Sequence, residues 1–188
     1  MAPKTARRQK LAALATDYAL EHGLIGLSLR PLAAAIGTSD RMLLYYFAGK
    51  DDLVATMLRI SNDRSVGAVL ALPRSRSVRT AVLDLWRVST SDEFDRCYRM
   101  YVEAAALGLL GREPYASVVR EANQRWLDAL AGHLIAAGCT RARASRAVAL
   151  LDAAFMGLQL DLPLDPDESN GKSVVSDLAD AIAAIAED

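Results

Sequence analysis

The sequence predicts an all-α fold of about nine helices. Apolar residues fill 52% of the 188 positions, ample for a sizeable core and too many for a disordered chain. Ala and Leu dominate them, and β-branched residues do not gather into the alternating runs that strands require. Gly23, Gly37, Pro73, Gly111 with Pro114, and Gly138 divide the chain into segments of helical period.

Each element has its own justification. Leu11, Leu14, Ala15 and Tyr18 fall at i, i+3, i+4 and i+7, one face of a first helix that Gly23 can end. Ser28 is a natural N-cap for a second helix. Pro31 lies in its first turn, where a missing N–H costs little. Leu32 and Ile36 face inward, and Gly37 permits the left-handed backbone that stops the helix. Thr38 or Ser39 caps a third helix that runs to about Phe47. Asp51, Asp52 and Leu53 open a fourth that reaches Leu70, with acid at its positive end. Helical patterns then recur over Val78 to Ser89, Asp92 to Leu110, Pro114 to Ala137, and Thr140 to about Leu160. Residues 161–172 are polar and rich in turn formers, hence a loop, and a final helix spans Ser173 to Ala186.

Formal net charge is −1, but the charge is unevenly placed. Residues 1–50 carry seven basic and three acidic side chains, whereas the other 138 carry 15 basic and 20 acidic ones. The N-terminal end therefore suits a polyanion. Cys97 and Cys139 lack the spacing of a metal site or a disulfide framework and read as two reduced core thiols. The basic start leads into the apolar run from Leu11 to Ala15, which Thr16 and Asp17 cut too short for a signal peptide. Asp152 interrupts the most apolar stretch, Ala147 to Leu160, so no membrane span is expected and the chain reads as cytoplasmic.

Ser28 to Lys50 carries the chemistry. Two short helical patterns meet across Gly37, Thr38 and Ser39, as in a helix-turn-helix. At about 100° per residue, Leu43 and Phe47 share the side that packs inward. Asp40, Arg41, Leu44 and Tyr45 share another side, whose N-terminal end would enter a major groove. Arg41 has the donor fork that matches guanine O6 and N7, and Leu44 could touch a thymine methyl. Tyr45, Tyr46 and Lys50 suit phosphates, which set register without reading sequence. Thr38 and Ser39 hydroxyls, with helix N-terminal amides, would add neutral phosphate contacts. Asp40 would face phosphates unless it serves the helix dipole or accepts from cytosine N4.

The run from Leu11 to Leu53 resembles the DNA-binding domain of the tetracycline-repressor (TetR) family. The matching elements are Ala15 and Gly23, then Ser28, Leu29 and Arg30, Leu32 and Ala33, and Gly37 to Ser39. Leu43, Tyr45 to Phe47, and Lys50 to Leu53 complete the set. The resemblance implies a DNA-binding domain at 1–50, with Ser28 and Arg30 joining the contacts named above. It also implies a helical effector-binding and dimerisation domain at 51–188. The family's phosphate-contacting lysine carries over to Lys50. Two positions depart from family habit: Leu44 stands for a usual tyrosine and Arg41 for a commonly small residue. They are where operator preference would reside.

Beyond Leu70 no nucleophile elbow, phosphate-cradling glycine loop or metal spacing is present, and neither a cofactor nor a metal is expected. His22 reads as a surface or capping residue and His133 as a helix-face residue. Phe94, Cys97, Tyr98 and Tyr101 form a helical stripe, which is core or pocket; the resemblance favours a pocket. An apolar or aromatic effector would then bind near Trp86, Phe94, Tyr98, Tyr101, Trp126 and Phe155. Val148, Leu151, Phe155 and Leu158 form a second stripe, joined by Leu178, Ile182 and Ile185 on the last helix. Such faces find cover inside a subunit or between two. The resemblance implies a two-fold homodimer, and hence a palindromic duplex operator. The function expected is a ligand-responsive repressor, with an activator of the same fold as the alternative. A helical protein-interaction module and an all-helical enzyme are more distant rivals.

Overall fold

The computed structural model describes residues 3–164 and 171–187. These residues form nine α-helices: α1 (Pro3–His22), α2 (Leu29–Ala35), α3 (Asp40–Tyr46), α4 (Lys50–Leu70), α5 (Val78–Ser89), α6 (Asp92–Leu109), α7 (Tyr115–Ala136), α8 (Arg141–Asp161) and α9 (Gly171–Glu187). No strand occurs among them, so the fold is all-α. The expected loop at 161–172 is helical at both of its described ends. Asp161 ends α8, Leu162–Leu164 form a 3-10 turn, and α9 begins at Gly171. Residues 165–170 lie outside the described part.

Local chemistry sets the helix ends. The Ser39 hydroxyl accepts from the Met42 amide at 3.2 Å and caps α3, so of the two candidates Ser39 is the cap. Ser77 caps α5 in the same way through Thr80. Ser28 stands at the N-cap of α2 with extended backbone, but its hydroxyl makes no capping bond. Gly37 has φ of 70°, and Thr38 N–H turns back to the Ala33 carbonyl at 2.9 Å. A side chain at this position would strain the turn between α2 and α3.

The chain divides into two compact units. The first holds residues up to Ser65 together with Asp92–Asn123, so it joins the N-terminal helices to α6 and the start of α7. Leu11, Ala15, Leu24, Leu32, Leu43, Phe47, Leu53, Met57 and Met100 lie in its core. Leu14 departs from the expected inner face of α1: it is exposed, and Ala12, Thr16 and Ala19 are buried instead. The true stripe runs through 11, 12, 15, 16 and 19, which places residue 14 on its far side. Arg64 pairs with Asp17 at 2.7 Å, and Arg59 with Glu121 at 3.0 Å.

The second unit holds Val66–Ser91 and Gln124–Asp188. Here α9 packs on α5 and α8 around Val82, Leu85, Leu130, Leu134, Leu151, Phe155 and Ile182. Arg79 of α5 reaches Asp180 and Ser176 of α9 at 2.6 and 2.9 Å. Cys97 in the first unit and Cys139 in the second are free and buried.

By length and composition Arg141–Leu164 could cross a membrane, with mean hydropathy of 1.5. Two features of the helix argue for protein contacts instead. Asp152 at its centre accepts a hydrogen bond from the Trp126 indole, and Ala144, Ala147, Val148, Leu151 and Phe155 are buried in the second core. Its other face is apolar and exposed, with Leu150 and Leu160 on the surface.

Candidate nucleic-acid interface

Packing of α3 on α1 and α2 determines which of its residues meet solvent. Leu43 is 1% and Phe47 2% exposed, whereas Leu44 is 53% and Tyr45 61% exposed. Asp40, Arg41 and Met42 are also exposed, so the outward face is the one expected, with Met42 as an addition. Asp40 does not simply oppose phosphate: its Oδ1 accepts the Arg41 amide at 2.8 Å at the helix N-terminus. Tyr46 is half-buried and packs against the core, edge-on to Tyr45 with ring centres 5.0 Å apart. Lys4 lies 4.6 Å over the Tyr45 ring, which brings the N-terminal charge to this face.

Lys50 begins α4 and donates to the Leu27 carbonyl, immediately before Ser28. One of its three protons is thereby used, which fixes the ammonium beside the start of α2 and leaves two donors. Ser28 and Arg30 are exposed, and Thr38 is half-buried in the turn.

Two positioning residues escaped the sequence reading. Arg8, counted there only as positive charge, donates through Nε to the Tyr46 carbonyl at 3.2 Å and through its terminal nitrogen to both Asp52 oxygens at 3.0 and 3.1 Å. Its guanidinium also lies 4.7 Å over the Phe47 ring. It thus ties α1 to the end of α3 and the start of α4. Burial alone would raise the Asp52 carboxyl, but the Ala48 amide and the Arg8 guanidinium hold it below its ordinary value. On the other side, Glu103 of α6 accepts the Leu24 and Ile25 amides at 2.7 and 2.6 Å. It approaches so closely that a Cβ at Gly23 would stand 2.6 Å from its Oε1. No spacing rule links residues 79 positions apart, so only the tertiary fold shows this clamp.

Residues 13–57 match the family described as bacterial regulatory proteins, tetR family. The match is confined to the N-terminal part of the chain. A transcriptional regulator from Rhodococcus sp. Rha1 is similar over 95% of both chains, with 24% identity and a TM-score of 0.74. The multidrug binding protein EbrR, solved with imidazole, is 28% identical over 92% of this chain and 94% of its own, with a TM-score of 0.64. A transcriptional regulator from Saccharomonospora viridis in complex with choline is 17% identical over 95% and 96% of the two chains, with a TM-score of 0.70. No curated protein matches the chain.

The residues named for an effector divide between the two units. Phe94, Tyr98 and Tyr101 lie in the first, where the two tyrosine rings stack at 6.3 Å. Trp86, Trp126 and Phe155 lie in the second, where Trp86 meets Phe155 edge-on at 5.1 Å and Trp126 Nε1 donates to Asp152 at 2.8 Å. Of the dimer candidates, Val148, Leu151, Phe155 and Ile182 are buried inside the second unit, while Leu158 is half-buried and Leu178 and Ile185 pack against that core. This stripe is covered within its own unit.

His22 stacks on Tyr18 and holds its carbonyl at the end of α1. His133 is buried beside Ser75, whose hydroxyl donates to Asp84 at 2.8 Å and lies 3.4 Å from His133 Nε2. The carboxylate here holds the serine rather than orienting the histidine, the reverse of a nucleophile-activating order. Burial pushes His133 down, opposed by Asp84. Among the described residues no group of three potential metal ligands occurs.

The opposite fates of Leu43 and Leu44 yield a paired expectation. Leu43→Ala should cost about 2–5 kcal/mol of stability by urea unfolding, and Leu44→Ala less than about 0.5 kcal/mol. Comparable losses for the two would contradict the orientation of α3. The Asp52 shift gives a second. Because its folded value is depressed, the pair stabilises above the ordinary value of 3.8 and that contribution fades as pH falls through the folded value. The stability advantage of the native chain over Asp52→Asn should be full near pH 6 and shrink below about pH 4, followed by far-UV dichroism. An advantage that persists unchanged to about pH 2 would remove the ion pair from the account.

Proposed function

We propose that the chain is a transcriptional repressor that binds a palindromic operator as a homodimer and is released by a small effector. Residues 1–50 would bind DNA, and 51–188 would bind the effector and dimerise, in the cytoplasm. The observation that carries this reading is the exposed side of α3, where Arg41, Leu44 and Tyr45 face outward beside the ammonium of Lys50. Arg41 would read a guanine edge, Leu44 a thymine methyl, and Tyr45, Tyr46, Lys50, Ser28, Arg30, Thr38 and Ser39 the backbone. Asp40 serves the helix end. TetR-family regulators bind DNA and small molecules and are generally not enzymes. EbrR, at 28% identity, holds imidazole, which supports a small-molecule effector here.

The exposed apolar side of α8 supports the dimer. Leu150 and Leu160 lie on it with Ala153 and Gly157 between them, and α9 adds Val174 and Ala181. A helix-turn-helix dimer places its two recognition helices in successive major grooves, roughly 34–36 Å apart. Repression then lifts only if the effector binds the DNA-incompetent state better.

A gel-shift series with the DNA upstream of the chain's own gene tests the reading. Arg41→Ala should lose about 1–3 kcal/mol and relax preference at one base pair, whereas Lys50→Ala should weaken all sequences alike and lower the salt slope by about one. An unchanged operator preference for Arg41→Ala would assign base readout elsewhere. Leu150→Glu combined with Leu160→Glu should convert a dimer to monomers in sedimentation and abolish tight operator binding. A dimer that survives both changes must use another face.

A further inference from the structure

Other half-buried carboxylates in this chain have a cation or two backbone amides beside them: Arg8 for Asp52, Arg87 for Asp84, and the Leu24 and Ile25 amides for Glu103. Asp152 does not. Among the described residues it receives one hydrogen bond, from Trp126 Nε1 at 2.8 Å, and forms no ion pair with an arginine, lysine or histidine. Burial pushes its carboxyl above the ordinary range, and only the Trp126 hydrogen bond pulls the other way. An unpaired, partly buried carboxylate is a cost that packing alone does not explain.

Its surroundings are aromatic and lie wholly within the second unit. Phe155 stands three residues along α8, on nearly the same side as Asp152. The Trp86 ring meets Phe155 edge-on at 5.1 Å, and Trp126 supplies the donor to Asp152. Gln159, a further turn along, is fixed through Nε2 to the Ser89 carbonyl at 2.8 Å, which leaves its own carbonyl oxygen as an acceptor. Asp152, Trp86 and Trp126 are each partly exposed. Aromatic faces attract cations through their quadrupoles, and a carboxylate held by an indole N–H keeps its second oxygen for another donor or a positive charge. A divalent metal ion would find no ligand set here, since no group of three potential metal ligands occurs among the described residues.

We propose that Trp86, Trp126, Asp152 and Phe155 form a recognition site for an organic cation with an apolar or planar body. Asp152 neutralises the charge and the two indoles take the body, while the buried Phe155 ring braces Trp86 edge-on. Binding itself needs only the second unit; its consequence for DNA rests on the regulator reading above.

The chain contains two tryptophans, and both belong to this site, so intrinsic fluorescence reports on it directly. The full-length protein is titrated with choline and with proflavin as cations, and with 3,3-dimethylbutan-1-ol as the neutral isostere of choline. Asp152→Asn preserves an acceptor for Trp126 and removes the charge. At least one cation should change the fluorescence saturably and raise the melting temperature. Its affinity should fall about tenfold or more in Asp152→Asn, and choline, if it is the binder, should exceed its neutral isostere similarly. Without ligand, Asp152→Asn should melt no lower than the native chain, because it relieves an unpaired charge. The proposal is overturned if neither cation binds, if Asp152→Asn binds them as tightly, or if the alcohol matches choline. A gel shift on the same samples separates the two readings. Asp152-dependent cation binding by a protein that ignores operator DNA would uphold the site and remove the regulator, while operator binding without cation binding would do the reverse.

Discussion

Burial of Leu43 and Phe47 in the first core is the constraint on which the proposed interface depends. A seven-residue helix has too few hydrogen bonds to persist alone, so α3 exists because one side of it is removed from water. The same packing leaves no freedom about which residues face outward. Leu44 and Tyr45 follow Leu43 in the chain yet lie in solvent, where apolar and aromatic groups carry a cost that DNA contact would repay.

Around that helix, charge is used for placement before it is available for binding. Arg8 is engaged with Asp52, the Tyr46 carbonyl and the face of Phe47, and Lys50 is tethered to the Leu27 carbonyl. The positive end of the chain is therefore partly internal scaffolding. Glu103 extends this logic to α6, whose carboxylate holds two amides just past the end of α1. A shift of α6 would be felt at the turn that leads into α2, where Leu24 and Ile25 stand.

In the second unit, α8 serves two faces. One is buried against α5, α7 and α9 through Val148, Leu151 and Phe155, and the other exposes Leu150, Gly157 and Leu160. Asp152 lies at the margin of the buried face, held by Trp126. The high hydropathy of this helix thus reflects two apolar faces rather than one lipid-facing surface.

Nearest-neighbour chemistry made much of the fold legible from sequence. Helical period, the Ser39 cap and the glycine at 37 determined the helices to within a few residues, because each depends on contacts within one or two turns. The outward set on α3 was likewise legible, since Leu43 and Phe47 at i, i+4 leave only one side for Arg41, Leu44 and Tyr45. What period cannot decide is which apolar surface covers which. Val148, Leu151 and Phe155 were equally suited to a partner or to their own core, and only the packing of α5 and α9 assigned them to the core. Leu14 fell on the wrong side of α1 because two overlapping stripes satisfied the same spacing. Arg8 with Asp52, Glu103 with Leu24, and Trp126 with Asp152 join residues 44, 79 and 26 positions apart. Such pairs are products of tertiary contact, and no local pattern encodes them.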